Sequence, residues 1–271
     1  MRSVALWDLR ASLSGGASSA NGKSKEVGRP PRKLAECSPQ RNGIFSLHEV
    51  GGSVLTASKD GTAATSSLTP TGLSHARSFH VGLGAVKTAR WRDEHFFACA
   101  GATGDVALVD TRAPGSEGAG CASVFIKGAH RNGVNDVQWS PRDSHLLLTS
   151  GPCLEMLLHD VRAPNKPVVQ LVGHAKEIVP GYPQYTPAFS HAGRGVSTCG
   201  HMSNRLSLFD VASGARVWEA SLADEDGDAR APLRSGAKSR LLRLDEDEDE
   251  VLLVTEGKRI EVHAPDHASR V

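Results

Sequence analysis

Apolar residues along this chain recur in short runs that alternate with polar ones or form compact apolar stretches, each bounded by Gly, Pro, Asp or Ser. A spacing near 3.6 that would mark amphipathic helices is nearly absent, so the pattern predicts strands. One stretch gives the clearest unit: VNDVQWSP (134–141), HLLLTSG (145–151), EMLLHDVR (155–162) and KPVVQLVGH (166–174). The same order of four precedes it twice. AVKTARW (85–91), FFACAGA (96–102), DVALVDTR (105–112) and SVFIKGAH (123–130) make one copy; GIFSLHEV (43–50), VLTASKDG (54–61), TAATSSL (62–68) and SHARSFH (74–80) make another. A further copy follows in YPQYTPAFS (182–190), GVSTCGH (195–201), RLSLFDV (205–211) and ARVWEASL (215–222). Asp110, Asp160 and Asp210 close the third strands at intervals of 50 residues, a regularity that independent loops do not produce. Repetition on this scale predicts a stacked or circular all-β architecture.

The third-strand endings SVALWDLR (3–10), LVDTR, LHDVR and LFDVASG resemble the Trp-Asp ending of WD repeats. Gly173-His174, with His130 and His80 earlier, resembles the Gly-His that opens each repeat, and SKDGT (58–62) resembles the tight turn between second and third strands. The resemblance covers nearly the whole chain and implies an all-β fold, a WD40 β-propeller. It is degraded in places. Val109, His159 and Phe209 stand where the family has Trp, and the turn acid survives at Asp60 but is absent near Ala102 and Pro152. The His–Ser/Thr–Asp–Trp hydrogen-bond set of WD blades is therefore expected to be incomplete. Burial of apolar strand faces then carries most of the stability, about 1.5–3 kcal/mol for each fully buried Val, Leu or Ile.

The resemblance divides the chain as follows. Residues 1–10 supply the third strand of an incomplete first blade, 11–31 a flexible basic Ser/Gly-rich loop, 32–265 the blades, and 266–271 a tail. Blades are expected at about 43–80, 85–130, 134–174, 182–222 and 240–264, the last from RLLRLD, VLLVTE and RIEVHA. Including a fourth strand near 32–37, about 21 strands are present, against about 28 in a seven-blade ring. About five to six blades of an expected seven are thus encoded, with Met1 read as an internal start; a closed five-blade ring is the alternative.

Composition narrows the function classes. Lys and Arg number 31 against 30 Asp and Glu, so no global field favours nucleic acid or an anionic membrane. No apolar run reaches the roughly 18 residues of a membrane helix, and MRSVALWDLR is too charged for a secretory signal. Cys37, Cys99, Cys121, Cys153 and Cys199 form no C-x-x-C pair and are read as reduced thiols of an intracellular protein, in the cytoplasm or nucleus. ADEDGDARAP (223–232) and DEDEDE (245–250) read as solvated turns, as does the basic 23–33 segment, for which RNA binding is the weaker reading. No catalytic, phosphate-cradling, metal or dinucleotide motif occurs, so the expectation is no enzyme, no cofactor, no metal and no small-molecule substrate.

The function expected is a non-enzymatic protein–protein interaction scaffold. On the face bearing the turns between second and third strands, Lys59, Asp60, His201 and Met202 are candidate contacts, with Arg131 and Lys176 beside them. A sharper alternative comes from the resemblance alone. Substrate receptors of cullin-RING ubiquitin ligases carry Trp-Asp-x-Arg at the ends of third strands, where it docks an adaptor. This chain has Trp7, Asp8 and Arg10 in full, and Asp110 with Arg112 and Asp160 with Arg162 without the Trp.

Overall fold

The protein is described here from a computed structural model. It describes residues 3–8, 32–69, 72–113, 118–119, 124–174, 185–199 and 205–221, together with the backbone of three later strands at 238–243, 250–256 and 259–263. Among the described residues there are 22 strands and no helix. β1 (Val4–Asp8) pairs antiparallel with β2 (Arg32–Cys37). β3 (Ile44–Val50), β4 (Ser53–Ser58), β5 (Thr62–Thr69) and β6 (Gly72–His80) form an antiparallel meander. The next sheet runs β7 (Val86–Trp91), β8 (Phe96–Gly101), β9 (Val106–Asp110), β11 (Val124–Ile126), after a two-residue β10 (Gly118–Ala119). β12 (Asp136–Trp139), β13 (Leu146–Ser150), β14 (Glu155–Asp160) and β15 (Val169–Val172) follow, then β16 (Ala188–Phe189), β17 (Gly195–Thr198), β18 (Arg205–Asp210) and β19 (Arg216–Ser221). β20 (Lys238–Arg243), β21 (Glu250–Glu256) and β22 (Arg259–His263) make a three-stranded sheet. Successive four-stranded meanders of this kind are consistent with the blades of a propeller.

The near-continuous apolar runs have a direct cause: each middle sheet is covered on both faces. Along β8 and β9, Phe97, Cys99, Ala107 and Val109 pack toward the preceding sheet with Leu55, Ala57 and Phe79. Their alternates Ala98, Ala100, Val106 and Leu108 pack toward the next sheet with Val134, Val137 and Leu147. The third interface joins Leu148, Met156, Leu158 and Leu171 to Val196 and Phe209. Phe97 is fully buried, and its ring meets Phe79 and Trp91 edge-on at centroid distances of 5.3 and 5.2 Å.

Inner strands lie side by side, and polar side chains join their edges. Ser46 Oγ accepts the Ala89 N–H at 3.0 Å, and His48 Nδ1 accepts the Trp91 N–H at 3.1 Å. Thr88 Oγ1 and Arg90 Nη2 both donate to Asp136 Oδ1, at 3.3 and 3.4 Å. Ser46 and His48 thereby satisfy backbone donors on the free edge of β7, whereas the bonds to Asp136 join side chain to side chain.

Two local features depart from a plain meander. β10 pairs parallel with the end of β6, at Phe79 and His80, so a turn of one sheet straps the outer edge of the sheet before it. His80, read as a repeat-opening histidine, is the exposed last residue of β6, whereas His130 and His174 are buried.

Candidate partner-binding surface

Asp110 and Asp160 end β9 and β14, and in each case the chain turns so that the arginine two residues on folds back upon the acid. Arg112 Nε and Nη2 lie 3.0 and 2.9 Å from Asp110 Oδ1 and Oδ2. Arg162 Nε and Nη2 lie 2.9 and 2.6 Å from the same two oxygens of Asp160. Each acid also accepts the backbone N–H of its arginine at 2.9 Å. The guanidinium contact holds both carboxyls well below the usual range, at about 2. Both arginines stand in solvent, 64% and 62% exposed. Exposed pairs of this sort contribute little stability. Their consequence is geometric: each fork spends two of its five N–H donors on its own acid and presents the other three in a fixed plane.

The neighbouring turns repeat as well. His95 N–H and Phe96 N–H donate to Asp93 Oδ1, and His145 N–H donates to Asp143 Oδ1, all at 2.9 Å. Thr111 N–H then donates to the His95 carbonyl at 2.8 Å, and Val161 N–H to that of His145 at 2.9 Å. Asp-x-His and Asp-x-Arg turns therefore sit together on one rim, twice, at a 50-residue interval. The Asp93–His95 and Asp143–His145 pairs were not singled out from sequence, although their spacing matches that of the acids. In the next sheet Asp210 is capped by Ser213 instead, whose Oγ–H donates at 2.6 Å, and no arginine fork forms there.

The opposite ends of the strands carry the other candidates. Lys59 is exposed in the β4–β5 turn, and Arg131 is exposed just after His130. Asp60 is occupied internally. Its Oδ1 accepts the Thr62 N–H and Oγ1–H at 3.0 and 2.6 Å, and its Oδ2 accepts the Arg41 N–H at 2.7 Å. These bonds hold the turn. Trp7 is 51% exposed, beside a cleft of about 510 Å³ between β1 and β3 that Phe45 and Leu47 also line. Leu47 faces Thr56 across its sheet as Ala89 faces Cys99 and Val137 faces Thr149; Ala89 and Val137 are fully buried, Leu47 is 50% exposed. Arg10, Lys176, His201 and Met202 lie outside the described residues, as does the side chain of Asp8.

Comparison with known proteins places the fold and stops there. No protein-family profile matches the chain. No curated protein matches it either. Among solved structures 1154 chains match, a breadth that marks a common fold and not a function. One is a chain of the crystal structure titled Mitotic Checkpoint Complex, with a TM-score of 0.63 at 16% identity, covering 86% of this chain. This chain spans 65% of the length of that one. The class defined by sheets and comparison together is an all-β protein built of consecutive antiparallel sheets, an arrangement consistent with propeller blades.

Proposed function

We propose that this protein is a non-enzymatic interaction scaffold, its sheets serving as blades of a WD-type propeller that presents turns to other proteins inside the cell. The observation that carries the reading is the pair of matched forks, Asp110–Arg112 and Asp160–Arg162. A guanidinium already fixed by its own acid loses little freedom on docking, and three outward N–H donors suit carboxylates or backbone carbonyls on a partner. Their recurrence on adjacent sheets supports a sharper form of the reading, in which the rim docks the adaptor of a cullin-RING ubiquitin ligase and the protein is a substrate receptor.

The test is affinity capture of interacting proteins from cells, comparing the native chain with the double variant Arg112→Ala, Arg162→Ala. Partners held by this rim are lost from the variant while its thermal melting is unchanged. Loss of the ligase adaptor among them supports the receptor form; retention of every partner by the double variant rejects the rim as the docking surface.

A further inference from the structure

Leu47, Ala89 and Val137 hold matching places in three inner strands, so the residues that follow them, His48, Arg90 and Gln138, match as well. All three are polar and half-buried. With Leu47, Trp91 and Trp139 they line a cavity of about 370 Å³ where β3, β7 and β12 lie side by side. That volume falls in the range of small-ligand pockets, roughly 300–1,000 Å³. No acid is among the lining residues, and Asp136, the acid that Arg90 reaches, is buried.

The hydrogen bonds already made decide which groups are left for a ligand. Trp91 Nε1–H donates to the Ser53 carbonyl at 3.2 Å and Trp139 Nε1–H to that of Arg90 at 3.0 Å, so the indoles serve as walls. Gln138 Nε2 donates to Asp136 Oδ2 and to the Pro187 carbonyl, which uses both of its protons and leaves Oε1 as an acceptor. His48 Nδ1 accepts the Trp91 N–H at 3.1 Å, so the proton of the neutral ring sits on Nε2. Burial, and after it the Arg90 charge, hold this imidazole below its ordinary pKa and keep it neutral. Its Nε2–H has no acceptor among the described residues. Arg90 is loosely held: Nη1 lies 3.3 Å from the Ala89 carbonyl and Nη2 3.4 Å from Asp136 Oδ1. A charge-assisted bond of full strength is about 2.7–2.9 Å. Asp136 also receives donors from Thr88 and Gln138. Two of the five guanidinium N–H donors are thus used, weakly, and three remain.

We propose that this cavity binds a carboxylate carried by a peptide, with Arg90 and His48 Nε2–H as its donors and Gln138 Oε1 accepting a peptide N–H beside it. The site lies apart from the arginine forks and does not depend on them. A carboxylate has two oxygens, no proton and a negative charge, so it can meet a guanidinium and a neutral imidazole at once. A carboxamide in the same place offers one oxygen and no charge. The indoles exclude water from one side of the contact, which strengthens it. The end of a chain and an acidic side chain carry the same group, and the experiment separates the two.

The experiment follows the indole N–H signals of the full chain by NMR while short acetylated peptides are added. The first, acetyl-Gly-Ser-Gly-Ala, ends in a free carboxylate. The second is its carboxamide. The third, acetyl-Gly-Glu-Gly-Ala carboxamide, carries its acid on a side chain. The Trp91 and Trp139 signals shift and saturate with the first or the third peptide while that of Trp218 stays still, and the tighter of the two names the source of the carboxylate. His48→Asn keeps an acceptor for the Trp91 N–H, because the amide oxygen stands near the place of Nδ1, yet has no donor at the place of Nε2. It weakens binding by about tenfold or more. Arg90→Lys keeps the charge beside Asp136, loses the fork and weakens binding as well. Equal shifts with the acid-free carboxamide, no saturable shift with either acid, or unchanged affinity in His48→Asn overturns the proposal.

Discussion

His159 occupies the third-strand place that Val109 and Phe209 fill in the sheets on either side, opposite Leu147 as they are opposite Phe97 and Val196. It is 1% exposed, and neither ring nitrogen has a hydrogen-bond partner among the described residues. Burial drives its pKa from 6.5 down to about 4. Replacing it with Phe should therefore stabilise the protein. Removing a buried, unsatisfied polar group is worth about 1–3 kcal/mol at neutral pH, and the larger phenyl ring is what the next sheet already buries at the matching place, Phe209. Acid enlarges the difference. A folded-state pKa below the unfolded one means that the unfolded chain binds the extra proton, so stability is full above about 6.5 and falls as the pH drops toward 4. Between about pH 7.5 and pH 5 this one group costs roughly 2 kcal/mol, and His159→Phe abolishes that loss. The His130 imidazole, itself held at about 4 by burial and then by His159, relaxes in the same direction. Urea unfolding at the two pH values measures both effects, and each kcal/mol corresponds to about 2–4 °C in melting temperature. A variant less stable than the native chain, with a gap no wider at the acid pH, refutes the reasoning.

Two further outcomes follow from the packing and the turns. Asp60→Ala leaves the Arg41 and Thr62 donors without their acceptor and should cost about 1–3 kcal/mol, whereas Thr103→Ala at the matching turn, which loses one contact of 3.4 Å to Asp105, should stay within about 0.5 kcal/mol; equal melting temperatures for the two reject the alignment of the turns. Phe97→Ala, emptying the place between Phe79 and Trp91, should cost about 3–5 kcal/mol by denaturant unfolding, and a loss below about 1 kcal/mol would mean that the interface between the first two meanders carries little of the stability.

Much of the sheet structure was legible because its cause is local. The compact apolar runs FFACAG and LLLTS, with turns at Asp60-Gly61 and after Asp110 and Asp160, specify strands and their ends without reference to distant residues. What escaped depends on how one sheet meets the next. The bonds from Ser46 and His48 to the backbone of Ala89 and Trp91 span 43 residues, and no pattern within either strand announces them. β10 lies in a Gly-rich stretch with no strand propensity and pairs only because the edge of β6 is there. The Arg112 and Arg162 forks were readable as residues, yet their closure onto Asp110 and Asp160 is a matter of turn geometry.

Sheets with two apolar faces also have a history during synthesis. A meander such as β7–β8–β9–β11 can cover its first face as soon as it emerges, against the sheet already made. Its second face waits for the next repeat, which the spacing of Asp110, Asp160 and Asp210 puts 50 residues later. At a translation rate of about 5–20 residues per second, that face stands uncovered for roughly 2.5–10 s. The nascent chain thus carries one uncovered apolar surface at every stage, handed forward from sheet to sheet. Chaperone occupancy on the ribosome should rise and fall with the same 50-residue period.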